Sequence, residues 1–337
     1  METALELFFA LAVVFFAAEL FTNAVEHLGE RLGISEGVAG SIFAAIGTAM
    51  PETIVPIVAI VAGGASKAVN EEVGLGAILG APFMLATIAL GLVALSAIWK
   101  RGRSAVLRPE ITGLRRDLWS FLGFFGVALF AGLLPPEERA LRVAVAIGLV
   151  FGYLLYLLAT LRASQQLVAQ GHGVEADEPL FFARWLGRDG IGWILAQLLL
   201  ALGVLVFGAR LFVHGVEQAS ELLGVSPLVV SLLLVPIATE LPEKVNSILW
   251  IREGKDTLAL GNITGAMVFQ GSLIPAIGML IMPWQLHDWR EWLPAGLALF
   301  GALFLLGMAR KERIRAEGLL VHLGLYAVFV AVVVWLA

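Results

Sequence analysis

Two glutamates each follow a proline inside otherwise apolar sequence: Pro51-Glu52 in IGTAMPE (46–52) and Pro242-Glu243 in IATELPE (237–243). Proline has no amide N–H, so a helix that meets it is disturbed at the preceding turn. A carbonyl freed at membrane depth needs water, protein or a bound cation as partner. A carboxylate in the bilayer is costly and marks a functional position by default. Carboxylate, hydroxyl and carbonyl oxygens are what hard cations such as Ca²⁺ select. Glu52 and Glu243 are therefore candidates for a shared cation site beside helices broken at Pro51 and Pro242. The plain alternative is a pair of proline kinks and two proton-satisfied packing residues.

These residues need a membrane scaffold, and the composition supplies one. The chain has 337 residues, 59% hydrophobic and only 15% charged, with a net charge of −5. A soluble domain is closer to a quarter charged. The absence of cysteine excludes disulfides, thiolate metal sites and cysteine nucleophiles. The N-terminus, METALELFFALAVVFF, has no basic n-region and does not read as a cleaved signal peptide. Ten apolar segments are long enough to cross a bilayer: 4–22, 37–63, 74–98, 118–134, 140–161, 191–213, 226–250, 257–282, 291–309 and 317–336. On that map the loops with Lys100 to Arg116 and with Arg310 to Arg315 share one side, as do those with Arg31, Arg162, Arg184, Arg188, Arg252 and Lys255. The positive-inside rule makes that side cytoplasmic and leaves both termini outside.

The chain also repeats itself. AELFTNAVEHLGERLGIS (18–35) aligns without gaps to ARLFVHGVEQASELLGVS (209–226), and the same offset pairs Thr48, Pro51 and Glu52 with Thr239, Pro242 and Glu243. Five spans separate the copies, and an odd number inverts the second half. The expected fold is thus an all-α polytopic membrane protein of ten transmembrane helices in two inverted five-helix repeats, with a midplane site at their interface. Residues 1–161 form the first repeat, 162–190 a polar cytoplasmic linker, and 191–337 the second repeat. Gly76 and Gly80 match Gly261 and Gly265 as a small-residue stripe that permits close helix contact. The stripe would carry Asn262 and Gln270 toward the glutamates. Elsewhere, Glu19, Asn23 and Glu26 could line an access vestibule, although a solvated face explains the recurring Glu26/Glu217 and Glu30/Glu221 better. Glu71 and Glu72 are expected in a loop, His214 and His322 as hydrogen-bonded fillers, and Trp284, Trp289 and Trp292 as an interfacial belt.

With GTAMPE (47–52), ATELPEKVNS (238–247), GNITGAMVFQ (261–270) and LGVSPLVV on the page, the chain resembles the cation/Ca²⁺ antiporter superfamily. The sodium/calcium exchangers are that superfamily's best-known members, and its repeats typically read GTSLPE…GNxxGSNxFN. The resemblance covers essentially the whole chain and implies an antiporter with alternating access. It implies that Glu52 and Glu243 are the two central cation-binding glutamates, and that Thr48 and Thr239 contribute oxygens. The departures are substantial. Ala49 and Glu240 stand where the motif has serine before LPE, Ala81 and Ala266 replace the serine of GSN, and Leu85 and Gln270 replace its late Asn or Asp. An acidic cluster of Glu52, Glu243 and Glu240 remains, which favours a divalent ion or protons.

Glu240 and Lys244 are four apart with Glu first, the favourable order on a helix. Lys244 reads as a tethered cation in place of a mobile ion, as half of a pair that satisfies itself against water or snorkels outward, or as a lysine that gives up its proton during the cycle.

The expected function is a secondary antiporter exchanging Ca²⁺ for Na⁺ or H⁺. Its ligand set is Glu52, Glu243, Thr48, Thr239, Glu240, Gln270 and Asn262, with Lys244, Pro51 and Pro242 beside them. No cofactor or nucleic acid is implied; the partners are the lipid bilayer and inorganic cations. An intramembrane enzyme is disfavoured by the lack of HExxH, GxSxG or cysteine. A family member that has left Ca²⁺ exchange for another solute or a sensing role is the alternative.

Overall fold

The computed structural model describes residues 2–31, 50–62, 64–168, 179–186, 190–310 and 313–336. In chain order the helices are α1 (Glu2–Arg31), α2 (Met50–Ala62) and α3 (Lys67–Met84), then a π-turn (Leu85–Ala89) that runs into α4 (Leu90–Arg101). There follow α5 (Ile111–Ala131), α6 (Arg139–Val168), α7 (Phe181–Leu186), α8 (Ile191–Leu223), α9 (Pro227–Thr239), α10 (Leu241–Glu253), α11 (Asp256–Ile281), α12 (Trp289–Met308), α13 (Ala316–Leu319) and α14 (Val321–Leu336). Two short strands, β1 (Val106–Leu107) and β2 (Ile314–Arg315), complete the elements.

Among the described residues, six helical stretches are long and apolar enough to cross a membrane: Lys67–Arg101, Arg139–Thr160, Ile191–Leu223, Asp256–Ile281, Trp289–Met308 and Ala316–Leu336. The sequence led us to expect ten. Of the other four, α1 and α5 are long helices of 30 and 21 residues. The span expected at 37–63 is described only from Met50. That expected at 226–250 is two helices of 13 residues each. Its division has a local cause. Pro242 has no N–H to offer the carbonyl of Ala238, and the chain leaves the helix at Glu240 with φ −104° and ψ 12°. Pro242 then lies in the first turn of α10, where no amide donor is required. The proline therefore starts a helix rather than kinking one.

Helices α1 and α8 run antiparallel along most of their length. Leu7 meets Gly215, Val14 meets Gly208, and the Leu20 carbonyl accepts from Gln197 Nε2 at 2.9 Å. Helix α2 rests on this seam through Ile54, Val55, Val58 and Ala59. A second, larger core joins α3, α4, α5, α11 and α12 around Phe83, Phe121, Phe125 and Trp284. Helix α11 packs on α5 and α6, which lie in the first half of the chain, while α3 and the π-turn pack on α12, with α14 also against the π-turn. Each half thus holds a central helix of the other.

Helix α9 crosses α3 at backbone contact. A Cβ placed on Gly76 would lie 2.0 Å from Ser231 Oγ and 2.2 Å from the Leu228 carbonyl oxygen, and one on Gly80 would lie 2.3 Å from the Leu232 carbonyl oxygen. Pro236 withholds the N–H that would otherwise engage that Leu232 carbonyl. The stripe therefore works as expected in the first half. In the second half a Cβ on Gly261 or Gly265 would meet no heavy atom within 4 Å.

The basic loops gather at one end. β1 pairs antiparallel with β2, joining the loop after α4 to the loop after α12. Arg101 holds Asp256 at the start of α11, with Nη2 to Oδ1 at 2.7 Å, and also donates to the Ile251 carbonyl. The Arg108 amide donates to Asp256 Oδ2 at 2.9 Å.

Three expectations need correction. Glu71 and Glu72 lie in α3, because Ser66 caps that helix by accepting from the Val69 amide at 3.3 Å. Trp284 is fully buried, its indole donating to the Ala128 carbonyl at 2.8 Å, so it is a core residue and not part of an interfacial belt. Asn23 lines no vestibule: it is buried, accepts from the Phe181 amide at 3.0 Å and from Gln197 Nε2 at 2.9 Å, and so fastens the segment before α8 to α1.

Gly80→Val should lower the thermal unfolding midpoint in detergent, at a cost of about 1–3 kcal/mol or more from forcing α9 away. The same change at Gly261 should cost far less. Glu110 offers a pH-dependent check. It caps α5 by accepting from the Thr112 and Gly113 amides at 2.8 and 2.6 Å. Partial burial raises its carboxyl, but those two hydrogen bonds and Arg116 outweigh it and hold the group below the ordinary value. A depressed folded-state pKa stabilises above the unfolded value and is lost as pH falls through the folded one. The midpoint difference between wild type and Glu110→Gln should be full at neutral pH and vanish on acidification.

Candidate functional site

The two proline-linked glutamates occupy equivalent places. Glu52 lies in the first described turn of α2 and Glu243 in the first turn of α10, each directly after its proline. A helix N-terminus carries a partial positive charge that favours a carboxylate there. Glu52 is 4% exposed. For Glu243, Pro51 and Pro242 only the backbone is described, and Thr48 lies outside the described residues.

Helix α11 packs on both α2 and α10, so it runs beside both glutamate positions. It carries the two expected amides. Asn262 Nδ2 donates to Ser247 Oγ on α10 at 3.2 Å. Gln270 is 2% exposed, and its Oε1 is buried with no hydrogen-bond partner. A buried acceptor left open in this way is suited to an added donor or cation. Thr239 is buried at the end of α9, where its hydroxyl donates to the Val235 carbonyl at 3.2 Å. That bond uses the proton and leaves oxygen lone pairs over. The matching place in the first half is poorer. Leu85, opposite Gln270 in the repeat, is fully buried and opens the π-turn.

Between Thr239 and Ser247 sits an ion pair. Lys244 Nζ is 3.1 Å from Glu240 Oε2 and 2.8 Å from the Pro236 carbonyl oxygen. Glu240 is 0% exposed and Lys244 6%. The lysine therefore does not snorkel; it turns back along α10 toward the break. The Pro236 carbonyl, near the end of α9, already accepts from the Glu240 amide at 3.3 Å, so the ammonium takes its second lone pair.

One side of this region is apolar. Thr53, Pro56 and Ile57 of α2, Ile78 of α3, and Ile274 and Gly278 of α11 line a narrow crevice with no room for a water molecule. Among the described residues, no three His, Asp or Glu side chains converge as a metal cage. A cation here would rely on one or two carboxylates supplemented by hydroxyl, amide and main-chain oxygens.

Sequence reasoning missed one buried acid. Asp117 of α5 accepts from Tyr156 OH on α6 at 2.9 Å and from Thr264 Oγ1 on α11 at 2.8 Å, with Arg116 Nε at 3.7 Å. This clasp ties α11 to α5 and α6 two residues from Asn262. The available signal was an acid beside Arg115-Arg116 at the edge of an apolar run, which reads as a loop. His322 is the expected filler: Nδ1 donates to the Ala86 carbonyl of the π-turn at 2.7 Å. Thr264→Val should leave one oxygen of a buried carboxylate short of a donor and cost about 1–3 kcal/mol. The readout is the thermal midpoint, which Tyr156→Phe should lower in the same direction.

Comparison with known proteins identifies the family and the fold. The family described as sodium/calcium exchanger protein matches residues 3–162 and 193–335. The putative antiporter CaxA of Alkalimonas amylolytica is 26% identical over 317 residues, covering 91% of each chain. The inner membrane protein YrbG of Escherichia coli (strain K12) is 28% identical, covering 82% of this chain and 79% of its own. A crystal structure of the H⁺/Ca²⁺ exchanger CAX superposes with a TM-score of 0.66 at 17% identity, covering 98% of this chain and 81% of that one. With the family match spanning both halves and the helical fold shared, the chain belongs to the sodium/calcium exchanger family, whose members are membrane cation transporters and not enzymes.

Proposed function

We propose that the protein is a secondary antiporter that exchanges Ca²⁺ for Na⁺ or H⁺ by alternating access at a midplane carboxylate site. The observation that carries this reading is that Pro51-Glu52 and Pro242-Glu243 stand at repeat-equivalent places on α2 and α10, with α11 packed on both helices. In this reading Glu52 and Glu243 bind the ion, and Thr48, Thr239, Glu240, Asn262 and Gln270 are the additional oxygen candidates. The names of the family and of the H⁺/Ca²⁺ exchanger support Ca²⁺ as substrate and leave both counter-ions in play.

The mechanism follows from charge. Two neighbouring carboxylates in a low-dielectric site repel each other unless a cation or proton is present. A divalent ion therefore competes with the counter-ion for the same oxygens, and one must leave before the other enters. The antiparallel α1–α8 seam and the reciprocal packing of α3 and α11 support ten spans in two inverted repeats, residues 1–161 and 191–337, joined by 162–190. The separate cores around α1–α8 and around α3–α5, α11 and α12 are suited to the relative motion that alternating access needs. The crevice lined by Pro56, Ile57, Ile78 and Ile274 has no room for water and would close the path on that side. A cell inner membrane with both termini outside fits the clustered arginines and the inner-membrane relative.

The test is ⁴⁵Ca²⁺ uptake into proteoliposomes under an outward Na⁺ gradient and, separately, an outward H⁺ gradient. One gradient should drive uptake, and Glu52→Gln and Glu243→Gln should each abolish it. Uptake under neither gradient with correctly inserted protein would overturn Ca²⁺ exchange.

A further inference from the structure

At the break between α9 and α10, a carboxylate oxygen of Glu240 and the main-chain oxygen of Pro236 converge on one point, and the ammonium of Lys244 occupies it at 3.1 and 2.8 Å. Carboxylate plus main-chain carbonyl at the C-terminal end of a discontinuous membrane helix is a donor set suited to small monovalent cations, and the Pro236 oxygen, which also accepts from the Glu240 amide at 3.3 Å, keeps a lone pair for one. The negative end of the α9 dipole points the same way. We infer that Lys244 is a built-in cation filling a monovalent subsite at this break, so that the carrier binds one mobile cation fewer there.

Three observations carry the assignment. First, the pair is enclosed: Glu240 is 0% and Lys244 6% exposed, so neither bulk water nor the lipid headgroup region neutralises it. Second, Lys244 bridges two helices. Its carbonyl partner is eight residues back, on the far side of the break, where a helix-surface pair would engage only the carboxylate four residues back. Third, the pair lies on one stripe of α10 with Ser247, whose hydroxyl accepts from Asn262 of α11. The ammonium is therefore in line with the oxygen ligands of the proposed transport site. A tethered charge cannot leave with each cycle. It holds the break together electrostatically in every state of the site, a task a mobile ion would perform only while bound.

The inference rests on the antiporter reading for its meaning, but its test does not depend on transport. Removing the lysine while keeping Glu240 should open the subsite to a small cation. Thermal unfolding of purified Lys244→Ala in detergent, with NaCl against choline chloride at equal ionic strength, should show a Na⁺-dependent rise in midpoint of about 5 °C that wild type lacks. The double variant Glu240→Gln/Lys244→Ala has no charge to satisfy and should fold without that response. A folded Lys244→Ala with no more Na⁺ response than wild type would overturn the inference. So would a response that survives in the double variant, because the ion would then bind elsewhere. If Lys244→Ala cannot be recovered folded even when extracted in Na⁺, while the double variant can, the subsite admits no mobile cation and the inference also fails. Loss of ⁴⁵Ca²⁺ exchange in wild type would defeat the antiporter reading and leave these outcomes untouched.

Discussion

Backbone that leaves a helix within the membrane must be satisfied by something other than water, and this requirement organises the centre of the molecule. The chain breaks once among the described residues of its apolar core, at Glu240 between α9 and α10. Proline causes the break, and the main-chain oxygens near it are approached from three sides. The Glu240 amide and the Lys244 ammonium both reach the Pro236 carbonyl, at 3.3 and 2.8 Å. The Leu232 carbonyl, released by Pro236, faces the bare backbone of Gly80. What remains unsatisfied is where an ion has reason to bind.

The close crossing of α3 and α9 follows from the same requirement. Two helices approach to backbone contact only where one of them lacks side chains, and Gly76 and Gly80 supply that strip. Such packing fixes the height of α9 relative to α3, and so the height of the break. On the opposite flank, α11 is set by a polar clasp instead. Asp117 takes hydroxyl protons from Tyr156 and Thr264 and so pins α11 near Asn262. Glycine contact on one side and a buried carboxylate on the other are unlike devices, yet each positions one of the two helices that flank the glutamates.

Much of this could be read from residue order because it rests on repetition. The register that pairs residues 18–35 with 209–226 also pairs Glu52 with Glu243. Repetition reports only what both halves share. Trp284, Asn23 and Asp117 occur in one half each, and their roles depend on partners 156, 158 and 147 residues away in sequence, which spacing does not reveal. Glu71 and Glu72 were misplaced for a different reason. Two acids after Lys67 look like a loop, but Ser66 caps a helix there and carries them into it. The break itself was legible from Pro242. That Lys244 would turn toward the break and not outward was not, because the i,i+4 rule gives a partner and no direction.

The two halves are similar in plan and unlike in chemistry, and this difference bears on how the site works. In the second half, Thr239, Glu240, Lys244, Asn262 and Gln270 put polar groups on three consecutive helices. At the place in the first half that corresponds to Gln270, Leu85 opens a π-turn whose Ala86 carbonyl is already taken by His322. A carrier whose ligands came equally from both halves would present a symmetric site to either side of the membrane. Among the described residues, polar groups ride on α9, α10 and α11 of the second half, and the first half brings the buried carboxylate of Glu52. In the antiporter reading proposed above, an ion would be held mainly by the oxygens of the second half and released as the first half withdraws Glu52. That reading concentrates the coupling step at Glu52, because a buried carboxylate is costly to leave without a compensating cation or proton.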